Sequence, residues 1–249
     1  MKRALLVLTL CSVVLVACGL SFDIGGIGER IAGSGNVISE VRAVSDFTRI
    51  DLLGSGELII SQGDHYALTV ETDDNLMQYV KSEVQNGTLE LSFTDEARTK
   101  NLQPSDGFVY RITVRELEGV QISGSGTITA ESLESEMLVI TLKGSGEARI
   151  GELDADDLTV QIVGSGEIGI GGVANKQSFL IAGSGSIDAG DLRGEAVVVT
   201  IPGSGSATVW ATDSLHVTVA GSGNVDYYGS PQVSQSILGS GSVSGLGDK

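Results

Sequence analysis

Val139-Ile-Thr-Leu-Lys-Gly144-Ser-Gly-Glu-Ala148 is followed twenty residues later by Thr159-Val-Gln-Ile-Val-Gly164-Ser-Gly-Glu-Ile168. The same outline continues along the chain. Gly-Ser-Gly occurs nine times, starting at Gly33, Gly54, Gly124, Gly144, Gly164, Gly183, Gly203, Gly221 and Gly239. The successive spacings are 21, 70, 20, 20, 19, 20, 18 and 18 residues, and a period near twenty is the mark of a solenoid. Two residues before each triplet stand Ile31, Leu52, Ile122, Leu142, Ile162, Ile181, Ile201, Val219 and Ile237. Four residues before the last seven stand Val120, Ile140, Val160, Phe179, Val199, Val217 and, as the one polar exception, Gln235. Four residues after each first glycine an aliphatic residue returns, from Val37 and Leu58 to Val225 and Val243.

Alternation on both sides of a glycine corner reads as strand, turn and strand with one buried face. Glycine tolerates a positive φ, and registered corners bring stacked backbones close enough to exclude larger side chains. Parallel coils about 4.8 Å apart would carry the seven regular triplets over roughly 34 Å. The fold class expected is all-β, a right-handed parallel β-helix with a β-rich insertion carrying one short helix.

Composition agrees. Glycine makes up 35 of 249 residues, yet there are only three prolines and no collagen period, and 41% hydrophobic residues are too many for a disordered linker. With only 11 aromatics (Phe 5, Tyr 5, Trp 1), the core falls to aliphatic side chains.

The amino terminus is a separate signal. Lys2 and Arg3 precede an apolar run from Ala4 to Ala17, too short for an ordinary span and ordered like a secretory leader. It closes on Leu15-Val16-Ala17-Cys18, which resembles the lipobox of bacterial lipoproteins, so Cys18 is the expected lipid (palmitate-type acyl) attachment site. Two or three acyl chains anchor firmly where one binds marginally. Gly19 follows Cys18, with no Asp to favour inner-membrane retention, so the expected location is the outer membrane or cell surface of a Gram-negative cell. Cys11 leaves with the leader and Cys18 is lipidated, which removes disulfide and thiolate chemistry.

The expected organisation is a signal peptide at 1–17, a tether at 18–30, an N-terminal β region with its insertion at 31–123, and regular repeats at 124–245, continuous with that region. Within the insertion, Asp73-Asp74-Asn75 would cap a short helix bearing Leu76, Met77, Tyr79, Val80 and Val84, and Asn86-Gly87 would turn the chain into a strand over 88–93. The polar stretch 94–107 reads as an exposed loop. Insertion and Gly/Ser-rich tail are expected to cover the ends of the solenoid.

The run Phe47-Thr-Arg-Ile-Asp-Leu-Leu-Gly54-Ser-Gly-Glu-Leu, with Asp74-Asn75-Leu76, Asn86-Gly-Thr-Leu89 and the later triplets, resembles the head GIN domain family (DUF2807), also called auto-transporter adhesins. The resemblance spans roughly 41–241. It implies a right-handed parallel β-helix on a secreted or lipid-anchored bacterial protein, and it carries no catalytic residues over.

Chemistry is sparse. The formal charge is −17, or −19 once the two positive charges of Lys2 and Arg3 are lost, which excludes nucleic acid as a partner. No Gly-Lys-Ser/Thr follows any triplet, so a phosphate loop is excluded, and the nine-residue period of a calcium roll is absent. His65 and His216 read as surface residues, too few for a triad or a His-rich metal site. Carboxylates are the abundant groups: Glu152, Asp154, Asp156 and Asp157 in one coil, Asp188 and Asp191 further on. Asp154, Asp156 and Asp157 are weak candidates for a metal site, with calcium the hard cation such oxygens suit. No cofactor is expected. The function expected is a non-enzymatic, lipid-anchored envelope protein, an adhesin or structural binding protein meeting glycan, a cell-surface protein or other copies of itself. The alternative is a carbohydrate-active β-helix enzyme, a polysaccharide lyase or glycosidase working with surface carboxylates, since a carboxyl pair about 5–10 Å apart is the equipment of such catalysis.

Overall fold

The computed structural model describes residues 29–249. The leader, Cys18 and most of the tether expected at 18–30 lie outside the described residues.

Each regular coil is one long, bent strand ending in its Gly-Ser-Gly corner: Thr127–Gly144, Glu147–Gly164, Glu167–Gly183, Ser186–Ile201 and Ser206–Gly221. They pair in parallel, each on the next, and Gly124, Gly144 and Gly164 are register partners. The result is a β-solenoid of about six turns. Inward positions match the period: Ile140, Val160, Phe179, Val199 and Val217 are buried, as are Leu142, Ile162, Ile181, Ile201 and Val219. A fully buried aliphatic side chain of this size contributes about 1.5–3 kcal/mol, so ladders of them, not caps or turns, dominate stability.

The backbone ladder continues through the corners. The Ser145 N–H donates to the Gly124 carbonyl at 3.1 Å and the Glu147 N–H to the Gly126 carbonyl at 3.0 Å, and the pair recurs at Ser165 and Glu167. Both glycines are required, for different reasons. Gly164 has φ of +136°, and a Cβ there would strike the Gly144 carbonyl below. A Cβ on Gly166, whose φ is not positive, would lie 2.7 Å from the Gly146 carbonyl and 3.0 Å from the Leu142 side chain.

The gap of 70 residues does not break the stack. Arg49–Gly54 lies directly beneath Gly119–Gly124, with Gly54 under Gly124. Beneath that coil the insertion builds an irregular one. Thr88–Phe93 pairs in parallel with Arg49–Gly54, and Val109–Val114 with Glu57–Gln62. Where the glycine corner would be, this lowest coil carries Phe93 and Phe108, their rings 4.9 Å apart and edge to face. Phe93 lies where a Cβ on Gly54 would fall, and Tyr110 where one on Gly56 would. Glycine above and aromatic below close the end of the core. Outside them, Val80–Gln85, Ala67–Asp73 and Val37–Arg42 add antiparallel strands, so the parallel stack stops there.

Four expectations change. The insertion's short helix is a single 3-10 turn, Met77–Tyr79, without a side-chain cap, and the chain is extended from Val80. The Asn86-Gly87 turn, with φ of 51° and 76°, folds 80–85 back onto 88–93 and overrides the helical spacing of Leu76 and Val80. Part of the expected 94–107 loop is ordered as a 3-10 helix, Asp95–Thr99, and a strand, Lys100–Gln103, that pairs in parallel with Glu29–Ala32. The strand Glu29–Ala32 therefore begins inside the stretch read as tether.

The triplet at Gly33 is not a coil corner. Its flank Val37 is 46% exposed, and Asp73-Asp74-Asn75, the expected helix cap, holds the triplet instead. The fully buried Asp73 carboxylate accepts from the Gly35 N–H at 2.7 Å and from the Ser105 N–H and hydroxyl, both at 2.8 Å. Asn75 Oδ1 accepts from the Ser34 N–H at 3.0 Å, and Asn36 donates to Asp74 at 2.9 Å. These carboxylates satisfy tertiary donors and leave none for a helix.

The Ser105 N–H chiefly, with its hydroxyl and the Gly35 N–H, holds the Asp73 carboxyl below the ordinary carboxylate range against the opposing effect of burial. A depressed acid stabilises the fold above its unfolded pKa, and that contribution disappears as pH falls through the folded value, below about pH 4. The Gly35 and Ser105 amide proton shifts should titrate with a midpoint below that of an ordinary aspartate. A midpoint at or above the ordinary value contradicts the clamp.

Candidate functional site

An open acidic cleft of about 770 Å³ runs across the outer face of the first regular coils. In each coil the alternation that buries Leu133 and Leu138, or Leu153, Ala155 and Leu158, turns Glu134 and Glu136, or Asp154 and Asp156, outward. Glu134, Glu136, Asp154 and Asp156 line the cleft with Glu116 and Glu118 from the segment that enters the stack, and Arg49 is its one cationic lining residue. Glu134 and Asp154 are register partners on adjacent parallel strands, so like charges stack at the inter-strand spacing. The cleft is framed by Gln62, whose side chain bonds the Glu134 backbone at both N–H (2.6 Å) and carbonyl (2.8 Å), and by Ser135 donating to the Leu117 carbonyl at 2.9 Å. Thr48 donates to Glu118 at 3.0 Å.

The expected carboxylates are thus only partly together. Asp154 and Asp156 share the cleft, whereas Asp157 pairs with Lys176 at 3.4 Å and Asp156 accepts from Asn175 at 2.9 Å. Among the described residues no group of three or more His, Cys, Asp or Glu side chains converges as a metal would require, and Asp154, Asp156 and Asp157 do not. Glu152 is exposed beside them. Glu134 and Glu136 were not singled out from sequence, but the signal was present: each lies twenty residues before Asp154 and Asp156, one coil below. His65 is exposed beside Asp64, 2.7 Å from its carboxylate, and His216 is exposed on the outer face. Asp188 accepts from the Gly190 N–H at 3.2 Å, and Asp191 is paired with Lys249.

One further carboxyl pair was missed. Asp51 and Glu90 are register partners where the lowest coil meets the first, and partial burial, then Glu90, push the Asp51 carboxyl up. The chemistry offered by the cleft itself is a dense field of negative charge suited to ammonium, guanidinium or hydrated cations.

Residues 46–231 match the family described as "Putative auto-transporter adhesin, head GIN domain" (DUF2807). The chain belongs to the head GIN domain family. Solved structures agree with that membership. A "putative adhesin" from Bacteroides fragilis is 29% identical with a TM-score of 0.81, over 87% of this chain and 100% of that one. A "putative lipid binding protein" from Parabacteroides distasonis is also 29% identical, with a TM-score of 0.71 over 88% and 100%. A "putative adhesin" from Parabacteroides merdae, 24% identical with a TM-score of 0.68 over 88% and 100%, shares the fold. No curated protein matches the chain. No helix among the described residues is long and apolar enough to cross a membrane.

Proposed function

We propose that this head GIN domain protein is a lipid-anchored protein of the bacterial envelope that acts by contact, presenting the outer face of its solenoid to glycan or to surface protein. The observation carrying this reading is the acidic cleft on a stack of hydrogen-bonded coils: an extended, charged face framed by backbone-bonded side chains. Membership of a family named for adhesins supports it, and so do the descriptions of its structural relatives as "putative adhesin". The alternative, polysaccharide cleavage by surface carboxylates, has no such support from the family.

Anchoring is proposed at Cys18 through the lipobox Leu15-Val16-Ala17-Cys18, with outer-membrane or surface placement following from Gly19. Replacing Cys18 with Ser should move most of the exported protein from the membrane pellet to the soluble fraction, because no acyl chain then holds it. Unchanged fractionation of Cys18→Ser contradicts the anchor.

A further inference from the structure

A second cation-attracting feature, separate from the acidic cleft, is a small aromatic site near the top of the stack. Trp210 and Tyr228 are register partners on adjacent parallel strands, so their rings stand side by side on the outer face. Below them the ladder is interrupted: Ala189 pairs with Val209 and Arg193 with Trp210, which leaves Gly190, Asp191 and Leu192 as an unmatched bulge. A side chain at position 190 would press on the Tyr228 ring, 3.3 Å away, and on Thr208, 3.1 Å away. Glycine therefore lets the aromatic ring lie over the bulge, and the Asp188 carboxylate fixes the Gly190 peptide by accepting its N–H at 3.2 Å.

Lys249 fills this site. Its ammonium lies 4.8 Å from the Tyr228 ring centre and 5.9 Å from that of Trp210, donates to the Gly190 carbonyl at 2.7 Å, and pairs with the Asp191 carboxylate. Its side chain is only 35% exposed. Two π faces, a carbonyl and a carboxylate converging on one point are the chemistry that recognises an ammonium ion. The two oxygen acceptors favour a primary ammonium, which has hydrogens to donate, over a quaternary one.

We propose that Trp210, Tyr228, Asp191 and the Gly190 carbonyl form a binding site for a primary ammonium group of a partner, with Lys249 as its occupant in cis. The group would belong to a lysine side chain of a polypeptide, the same chemistry that Lys249 supplies in cis. The proposal deepens the contact reading and rests on it for its biological occupant alone.

Trp210 is the single tryptophan of the chain, so its fluorescence reports directly on the site. The full chain and its Lys249→Ala variant are titrated with Nα-acetyl-lysine amide, with glucosamine and with N-acetylglucosamine. Lys249→Ala should respond saturably to the lysine amide, at about tenfold lower concentration than the unaltered chain, in which the cis occupant competes. Adding Asp191→Asn to Lys249→Ala should abolish the response while circular dichroism stays unchanged. A response to the lysine amide supports the peptide occupant, and a response to glucosamine alone overturns it in favour of an amino sugar. No saturable response of Lys249→Ala to either amine overturns the site, as does an equal response to N-acetylglucosamine, an equal response of the unaltered chain, or indifference to Asp191→Asn. Retention of the protein on cell material is scored separately, so the site and the contact reading fail independently.

Discussion

Gly164→Ala is expected to destabilise the protein by about 2–6 kcal/mol, combining 1–3 for a side chain in a glycine-only conformation with 1–3 for overpacking. The cause is geometric. At φ of +136° the new Cβ points at the Gly144 carbonyl, and that oxygen accepts the Ser165 N–H at 2.9 Å, so the coil below cannot give way without losing the corner bond. Gly169 is the internal control. It lies in the next strand segment without a positive φ, and a Cβ there meets nothing within 4 Å. Gly169→Ala should therefore be neutral or stabilising by up to about 1 kcal/mol, since alanine loses less backbone entropy. Urea melts of the two variants check the pair. Similar losses in both would mean that glycine content in general, not corner stacking, sets stability.

Phe179→Ala is expected to cost about 3–5 kcal/mol. Phe179 is 1% exposed, and its register partners below and above are Val160 and Val199, both fully buried. The backbone ladder holds these β-branched neighbours at the inter-strand spacing, so they cannot collapse into the space the ring leaves. A truncation in the outermost coil, Val233→Ala, trims a side chain already 40% exposed and should cost under about 0.5 kcal/mol. A loss below 1 kcal/mol for Phe179→Ala contradicts a close-packed interior at that coil.

Much of this architecture is legible in the sequence because a solenoid repeats one local rule. Leu142, Ile162 and Ile181 stand two residues before their triplets, and each is buried as the alternation requires. The rule fails where a corner depends on what lies beneath it. Ile31 and Val37 flank Gly33-Ser34-Gly35 in the same pattern as any coil, but that triplet rests on Asp73 and Asn75. Stacking is a tertiary property that the triplet alone does not encode. The helix expected over 73–84 fails similarly: Leu76, Met77 and Val80 have helical spacing, yet the Asn86-Gly87 turn commits both its flanks to a hairpin. The acidic cleft is half legible. Asp154 and Asp156 form a dense local cluster, whereas Glu134 and Glu136 join them only when the chain is folded into coils of twenty. Lys249 and Trp210 lie 39 positions apart in a less regular part of the repeat, and no local pattern links them to Asp191.

The proposed function requires that the protein hold its partner without transforming it. The most direct test is to pass the protein over immobilised cell-wall and plant polysaccharides and over intact cells, measuring both retained protein and released sugar. Saturable retention on at least one surface without released product is the result expected. Release of product, abolished by Asp154→Asn or Asp156→Asn, would contradict it and establish the carbohydrate-active enzyme in its place.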